Sequence, residues 1–336
     1  MENTEESFII PENAAEIVQR LDVEKVQHVF AAVKNELQKM IVGQTEIVDL
    51  LIVALLCDGH VLLEGVPGIA KTMTSKLLAK TIHAEFARLQ FTPDLMPSDV
   101  MGTMVFNQQT AQFSFHSGPI FSNITLIDEI NRAPAKTQSA LFEAMEERQV
   151  TIDGRTYPME KPFFVVATQN PIEQEGTYRL PEAQLDRFLF KINMEYPSLE
   201  EEKTILHRFK NDFSQLQANE VKSVLKPTDI AACRSIIENV IIHDEILNYI
   251  AAIVYQTRHS GDLYLGASPR ASLSIMKTAK AMAAYRGRDF VTPDDVQSVC
   301  VPVLNHRIIL TPEREMEGLT TTEIIKEIIK GIDVPR

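Results

Sequence analysis

The sequence Gly-Val-Pro-Gly-Ile-Ala-Lys-Thr at residues 65–72 has the residue types and spacing of a loop that binds phosphate. The apolar run at 60–64 suits a buried strand, and residues 73–81 have helical spacing. In such a strand–loop–helix unit, backbone N–H groups and the helix N-terminus face phosphate oxygens. Lys71 would reach the β- and γ-phosphates of a nucleoside triphosphate, and Thr72 would offer its hydroxyl to Mg²⁺. The loop therefore predicts a nucleotide site.

One position departs from the pattern G-x-x-x-x-G-K-[ST], which has glycine where this chain has Ala70. The added methyl group restricts φ and crowds the backbone next to the phosphates. A tight strand-to-helix turn with an incidental lysine is therefore an alternative interpretation of the loop taken alone, and residues elsewhere in the chain must decide.

Two adjacent carboxylates, Asp128 and Glu129, end the apolar run that begins at Ile124. An acid at such a strand end can hold the hydration shell of Mg²⁺, which is the role predicted for Asp128, and Glu129 would orient and polarise an attacking water. A helix-capping pair after a core strand is the alternative. Because Lys71 and Thr72 precede the acids in the required order, we expect the two strand ends to lie beside each other in a parallel sheet.

Asn170 follows a third apolar run and precedes a proline. Its amide could touch the γ-phosphate or the attacking water, or it could serve only to form the turn. Arg187 in Leu-Asp-Arg-Phe and Arg270 in Ser-Pro-Arg each stand at an element boundary, and Arg132 is a weaker third candidate. A fixed planar cation suits the charge of a transferring phosphoryl group, although most arginines only form surface ion pairs.

The elements that must position these residues are short apolar strands that alternate with helices, which is typical of a parallel sheet covered on both faces. The strand candidates are 60–64, 88–91, 124–127, 163–167 and 188–192.

Two features interrupt this pattern. Residues 92–121 contain two short alternating strands and resemble an insertion, and residues 149–157 predict a hairpin around Asp-Gly.

Ser198 and Glu201 form a capping box that opens a helical region. We expect an N-terminal arm at 1–22, a nucleotide-binding domain at 23–197 and a helical domain at 198–336.

Composition restricts the protein class. The chain has 336 residues, of which 45% are apolar and 24% charged, and its net charge is −13. The composition is ordinary for a globular protein. The negative net charge argues against a dedicated nucleic-acid surface, although a local basic patch in a pore would not show in the net charge. The cysteines Cys57, Cys233 and Cys300 lack metal or redox spacing and predict core thiols. The acidic N-terminus does not resemble a signal peptide, and the apolar run 51–57 is too short to span a bilayer, so we expect a cytoplasmic protein.

The order of these motifs resembles the MoxR family of AAA+ ATPases. The resemblance extends from about Val42 to the end of the chain. It rests on five segments: EGVPGIAKT from Glu64, FSFHSGPIF from Phe113, LIDEINRA from Leu126, ATQNP from Ala167 and YRLPEAQLDRF from Tyr178. Ala70 is common in MoxR-like sequences and becomes a mark of the family.

The resemblance implies an α/β fold: a three-layer P-loop domain with a parallel five-stranded sheet, followed by an all-α helical lid. It makes 92–121 the helix-2 insert and 149–157 the hairpin before the first sensor, which in relatives face a pore or a partner. Asn170 matches the first sensor, and Arg187 the arginine finger that acts on a neighbouring subunit's nucleotide. Arg270 matches the second sensor, acting within its own subunit or across the interface.

The same resemblance implies ATP and Mg²⁺ as cofactors, with Thr72 and Asp128 at the metal. The nucleotide contacts it implies are Val42, Gly43, Gly65, Val66, Pro67, Gly68, Ile69, Ala70, Lys71, Thr72 and Asp128.

The leading functional hypothesis is a Mg²⁺-dependent ATPase that works as a ring, expected to be hexameric. A ring follows if Arg187 is a finger, since a lone subunit could not aim it at its own γ-phosphate. MoxR-like proteins are similar to chaperones that help to mature or activate protein complexes, often with partners that carry a von Willebrand factor A domain. A nucleic-acid motor with the same insert, and a scaffold that holds ATP without hydrolysing it, are the alternatives. The acidic charge opposes the motor, and the presence of Glu129 opposes the scaffold.

Overall fold

The computed structural model describes residues 22–66, 68–170, 178, 180–210 and 221–335. The predicted arm therefore lies outside the described residues, apart from Asp22.

The main elements of the described ranges are numbered in chain order. The strands are β1 (Val61–Gly65), β2 (Phe86–Gln90), β3 (Gly102–Asn107), β4 (Gln112–Ser117), β5 (Ile124–Asp128), β6 (Gln149–Ile152), β7 (Arg155–Pro158), β8 (Phe164–Gln169), β9 (Phe190–Met194), β10 (Leu263–Leu265) and β11 (Ile309–Leu310). The helices are α1 (Glu24–Gln38), α2 (Thr45–Leu56), α3 (Lys71–Thr81), α4 (Pro97–Met101), α5 (Ala135–Glu147), α6 (Glu182–Leu185), α7 (Leu199–Phe209), α8 (Pro227–Glu238), α9 (Asp244–Thr257), α10 (Pro269–Tyr285), α11 (Pro293–Leu304), α12 (Pro312–Met316) and α13 (Thr321–Lys330).

The central sheet has five parallel strands in the order β2-β5-β8-β1-β9. This confirms the predicted parallel five-stranded sheet. The expectation that the ends of β1 and β5 lie beside each other is wrong, because β8 is inserted between them. Parallel strands are joined by long crossovers, which allow a later strand to enter between two earlier ones.

The apolar character of the strands follows from burial on both faces of the sheet. In β1, Val61 and Leu63 pack into one hydrophobic cluster together with α1 and α2. Leu62 between them points to the opposite face and packs into a second cluster with Leu141 and Phe142 of α5. Since successive side chains of a strand alternate between faces, a strand covered by helices on both sides must be apolar at every position.

The predicted hairpin at 149–157 forms, and the two short strands expected in the insertion pair into a second hairpin that contacts it. β3 pairs with β4, and β6 pairs with β7, both antiparallel. Phe115 of β4 stacks on Tyr157 of β7, with ring centroids 4.1 Å apart. The two hairpins are thus one paired projection.

The region after residue 198 is mainly helical, as expected, with the predicted capping box of Ser198 and Glu201 at the start of α7. It also contains one element that the sequence did not predict: β10 and β11 form a short antiparallel pair. Strands of three and two residues are too short to show a period of two in the sequence. No helix of the described ranges is long and apolar enough to cross a membrane.

The three predicted core thiols are buried. Burial raises the pKa of Cys57 and of Cys300 to about 12 and that of Cys233 to about 11. Thiols with such pKa values are not reactive at neutral pH.

Asp295 anchors the start of α11. Its side chain is 0% exposed and accepts hydrogen bonds from Arg286 and Arg288, each with a shortest distance of 2.7 Å, and from the backbone N–H of Thr292 at 2.9 Å. A buried carboxylate is costly unless it is paired in this way.

We expect Asp295→Asn to lower the free energy of unfolding by about 3 kcal/mol, because both guanidinium groups lose their counter-charge. Urea unfolding followed by circular dichroism measures this. Asp294→Asn, on the same turn but exposed, is the matched control and should change stability by about 0.5 kcal/mol or less. Equal effects of the two substitutions would contradict the role of Asp295.

Candidate active site

A cavity of about 920 Å³ opens at the carboxyl ends of the parallel strands. Ligands of open α/β sheets bind at this edge, where loops leave the strands. The residues that line the cavity include Met40, Ile41, Val42, Gly68, Ile69, Ala70, Lys71, Thr72, Arg88, Gln90, Asp128, Glu129, Thr168, Asn170, Ile205, Leu206 and Phe209.

Most of the predicted nucleotide contacts lie at this cavity. Val42, the loop residues from Gly68 to Thr72, and Asp128 all line it. Gly65 ends β1 and Val66 follows it at the entry to the loop. Pro67 lies outside the described residues.

The loop turns directly into α3. Lys71 is the first residue of the helix, and its Nζ donates a hydrogen bond of 2.7 Å to the carbonyl of Gly65. The side chain therefore lies back across the loop, with its charge where phosphate oxygens would bind. Thr72 follows in the first turn of α3 at the same cavity.

Ala70 has φ 64° and ψ 19°, a left-handed conformation that favours glycine. The sequence pattern has glycine here, and the backbone shows why. A residue with a Cβ pays about 1–2 kcal/mol to adopt the left-handed conformation. Its carbonyl accepts hydrogen bonds from the backbone N–H and the hydroxyl of Thr74, at 2.9 and 3.0 Å. These contacts hold the left-handed turn at the start of α3.

The two acids at the end of β5 have different partners. Asp128 is 7% exposed; its Oδ2 accepts a hydrogen bond of 2.7 Å from Nε of Arg88, and its Oδ1 accepts one of 3.2 Å from the hydroxyl of Thr168. Glu129, with φ 56°, turns away from the strand; its Oε2 accepts from Nε2 of Gln90 at 2.6 Å and lies 3.0 Å from Nε of Arg132.

β8 places Asn170 between the phosphate loop and the two acids. The asparagine follows the last residue of the strand and is 7% exposed. The hydroxyl of Thr168, in the same strand, also accepts the N–H of Glu129 at 3.1 Å. The end of β8 therefore touches both acids of β5.

An apolar wall closes the other side of the cavity. Met40, Ile41 and Val42 contribute from the segment between α1 and α2, and α7 contributes Ile205, Leu206 and Phe209. Such a wall suits the flat face of a nucleobase.

Gly43 holds the segment of Val42 close to α7. It has φ +68°, and a Cβ at this position would lie 2.1 Å from Oε1 of Glu201. The positive φ favours glycine at this position.

Arg187 and Arg270 are not among the residues that line this cavity. They lie together at a smaller cavity of about 350 Å³, which Arg148, Lys277 and Arg307 also line. Oε1 of Glu146 accepts a hydrogen bond of 2.7 Å from Arg270, and its Oε2 lies 4.0 Å from Nε of Arg187. Arg187 also donates to the carbonyl of Phe142. The two arginines thus lie together, away from the main cavity of their own subunit.

The oxygen donors at the main cavity fit Mg²⁺. The hydroxyl of Thr72 and the carboxylate of Asp128 are hard ligands at its lining. Within the part of the chain that the structure describes, no three His, Cys, Asp or Glu side chains gather into a metal cage. Proteins usually hold Mg²⁺ by one or two carboxylates together with substrate phosphates.

Sequence reasoning missed several residues of the site. Arg88 and Gln90 contact the two acids but belong to no motif that the sequence analysis singled out. Thr168 lies in the segment ATQNP, but the sequence analysis gave it no role. The signal that could have found them is their place at strand ends, since polar residues there share an edge with Asp128. The apolar face of α7 was visible as helical spacing but was not assigned to the cavity.

We expect Ala70→Gly to raise the free energy of unfolding by about 1 kcal/mol, because glycine adopts the left-handed φ without steric cost. Thermal unfolding measures this. The matched control is Ala251→Gly in the exposed interior of α9, where the same change should lower stability by about 1 kcal/mol. A loss of stability from both substitutions would contradict strain at Ala70.

Comparison with known proteins agrees with this geometry. The family model described as the ATPase family associated with various cellular activities (AAA) matches residues 60–190, and the AAA lid domain matches 255–328. A crystal structure of a candidate ATPase from Cytophaga hutchinsonii is 43% identical, with a TM-score of 0.85 over 93% of this chain and 98% of that one.

Two curated relatives cover nearly the whole chain. The uncharacterized protein YeaC of Bacillus subtilis is 48% identical over 301 residues, which is 90% of this chain and 93% of that protein. Chaperone MoxR1 of Mycobacterium tuberculosis is 44% identical over 310 residues, 90% of this chain and 81% of that protein. With these identities over this length, and with the nucleotide-binding and lid models matching in order, the chain belongs to the MoxR family of AAA+ ATPases.

Proposed function

We propose that this protein hydrolyses ATP to ADP and phosphate with Mg²⁺, and that it does so in a ring whose active sites are shared between subunits. One observation carries the proposal. Lys71, Asp128, Glu129 and Asn170 meet at a single cavity large enough for a nucleotide.

Each residue of the cavity has a chemical task. The loop amides and Lys71 bind the β- and γ-phosphates, and the apolar wall at Val42 receives the base. Thr72 and Asp128 hold Mg²⁺, which neutralises charge on the phosphates when it is bound. Glu129 polarises the attacking water, and Asn170 orients the water or the γ-phosphate.

Gln90 and Arg132 hold the carboxylate of Glu129. Its carboxylate must leave at least one of these partners to face a water at the γ-phosphate. The neighbouring strand end therefore competes with the substrate water for the catalytic base.

Arg187 and Arg270 both act on the nucleotide of the neighbouring subunit. Their separation from the main cavity, and their shared contact with Glu146, support this assignment. For Arg270, the sequence left action within its own subunit or across the interface open, and we propose the latter. Glu146 shows that these two cations can share one anion, which is the kind of contact that a neighbour's phosphate would make with them.

The client is a protein. The insert hairpin at 102–117 contains no Asp, Glu, Lys or Arg. It exposes Phe106 and Phe113, whose rings are 5.1 Å apart. A nucleic-acid motor needs cations to contact phosphates, and the acidic net charge of −13 adds to this argument.

The biological role proposed is that of a chaperone-like factor in the maturation or activation of protein complexes, working in the cytoplasm as a hexamer. The name of its relative, chaperone MoxR1, supports this. A partner with a von Willebrand factor A domain is proposed on the family resemblance. We place the boundary between the nucleotide-binding domain and the lid at 197/198, where Ser198 caps α7.

We expect Glu129→Gln to bind ATP with unchanged affinity and to lose about 10²- to 10⁴-fold in kcat, because only the base that polarises the water is removed. Steady-state phosphate release and nucleotide titration measure the two quantities. Glu147→Gln, an exposed residue of α5, is the control. Unchanged turnover in Glu129→Gln would remove Glu129 from its role.

A shared site predicts rescue on mixing. Arg187→Ala subunits keep an intact cavity, and Lys71→Ala subunits keep an intact finger, so mixed rings contain some complete interfaces. We expect each variant alone to be inactive and the mixture to regain a fraction of wild-type turnover that depends on the ratio of subunits. Mixing Arg187→Ala with Glu129→Gln, titrated in the same way, provides a second complementary pair. No rescue at any ratio would contradict the shared site.

A further inference from the structure

Three consecutive buried residues, Asn305, His306 and Arg307, follow the end of α11 and are 9%, 6% and 7% exposed. All three donate hydrogen bonds to residues 186–191, which run from the end of α6 into β9 and include Arg187. We call these three residues the 305–307 turn. It belongs to the helical lid, whereas the segment it holds belongs to the nucleotide-binding domain.

Arg307 makes most of these contacts. Its Nε donates to Oδ1 of Asp186 at 2.7 Å. Its Nη2 donates to the carbonyl of Phe188 at 2.7 Å and to that of Asp186 at 3.1 Å, and its Nη1 donates to the carbonyl of Leu189 at 3.2 Å. The guanidinium thus binds the residues on both sides of Arg187 but not Arg187 itself.

The other two residues extend the same contact. Nδ2 of Asn305 donates to the carbonyl of Lys191 at 3.0 Å, and Nε2 of His306 lies 3.0 Å from the carbonyl of Phe188. A carbonyl oxygen can only accept, so the imidazole donates from Nε2; burial lowers the pKa of His306 well below its usual value. The 305–307 turn therefore fixes the backbone carbonyls of residues 186, 188, 189 and 191.

Asp186 also connects the segment that carries Arg187 to the helix that carries Arg270. Its Oδ2 accepts a hydrogen bond of 3.1 Å from the hydroxyl of Ser268, the residue before α10. Arg270 lies in the first turn of that helix. One carboxylate thus ties together Arg307, the segment of Arg187 and the helix of Arg270.

Packing alone does not explain a buried guanidinium at this place. Its desolvation costs several kcal/mol, and an apolar side chain of similar volume would fill the same space without that cost. What the arginine provides is a rigid fork of donors that fixes several acceptors in one geometry.

We propose that Arg307 is a positioning residue that sets the location of the finger Arg187, and through it the turnover of ATP in the neighbouring subunit. The proposal rests on the proposed function, in which Arg187 acts across the interface. Movement of the lid is thereby transmitted to the neighbour's active site through the 305–307 turn.

The test is Arg307→Lys, which keeps the charge but loses the planar fork. We expect kcat to fall by about 10- to 100-fold, because a displacement of about 1 Å at a catalytic group has an effect of this size. The ATP affinity of the variant should stay within about twofold, since its own cavity is intact. Mixing it with Lys71→Ala subunits should restore turnover, because those subunits supply a correctly placed finger.

Arg314→Lys is the matched control, as Arg314 forms ion pairs with Asp262 and Glu317 at the surface of the lid and should turn over ATP normally. If Arg307→Lys does not fold, Asp186→Asn and Ser268→Ala test the same connection. Each should lower kcat, leave ATP affinity unchanged and be rescued by Lys71→Ala subunits.

Normal turnover in these folded variants, or a defect that Lys71→Ala subunits do not relieve, would overturn the positioning role. Arg187→Ala in the same assay separates the two proposals. If Arg187→Ala is inactive and rescued while the Arg307 and Asp186 variants are unaffected, only the positioning role fails. If Arg187→Ala turns over ATP normally, the shared site fails as well.

Discussion

The arrangement of the whole site depends on the parallel pairing of β8 with β1 on one side and β5 on the other. Because all three strands run in the same direction, their carboxyl ends share an edge. The phosphate loop leaves β1 there, Asp128 ends β5 there, and Asn170 stands between them. The apolar residues of these strands are buried on both faces of the sheet, and this burial stabilises the parallel arrangement. Burial of the sheet therefore determines where the polar groups meet.

The charged groups of the site are paired with one another in the isolated subunit. Arg88 holds Asp128, and Gln90 holds Glu129, both from the edge strand β2. Glu146 faces Arg187 and Arg270 in a comparable way. Each of these contacts stabilises a charged side chain for which the proposed function gives ATP, Mg²⁺, water or a neighbouring subunit's nucleotide as a partner. Under the proposed function, ATP and a neighbouring subunit would replace these contacts within the subunit by contacts of similar chemistry.

The phosphate loop illustrates how a departure from consensus is accommodated. A left-handed conformation at Ala70 has a steric cost, yet the residue begins a helix whose first turn is held by Thr74. The sequence pattern showed that a methyl group was present where glycine is usual, but the φ that makes this costly is a property of the folded loop. The left-handed Glu129 is similar, since nothing in the order Asp-Glu indicates that the second acid turns away from the strand.

The sequence alone determined the element types and the chemical groups. Apolar runs of strand length, helical spacing, the capping box at Ser198 and the turn before Gly154 are properties of a few neighbouring residues, and local backbone preferences are enough to specify them. Only the tertiary structure decided which elements became neighbours. It inserted β8 between β1 and β5 and placed α7 along one wall of the cavity. It also placed Arg187 outside the cavity of its own subunit and brought Arg307 into contact with the segment of Arg187. The contacts involved join residues that are distant in sequence. Such contacts result from packing two domains around a common core, and no local pattern encodes them.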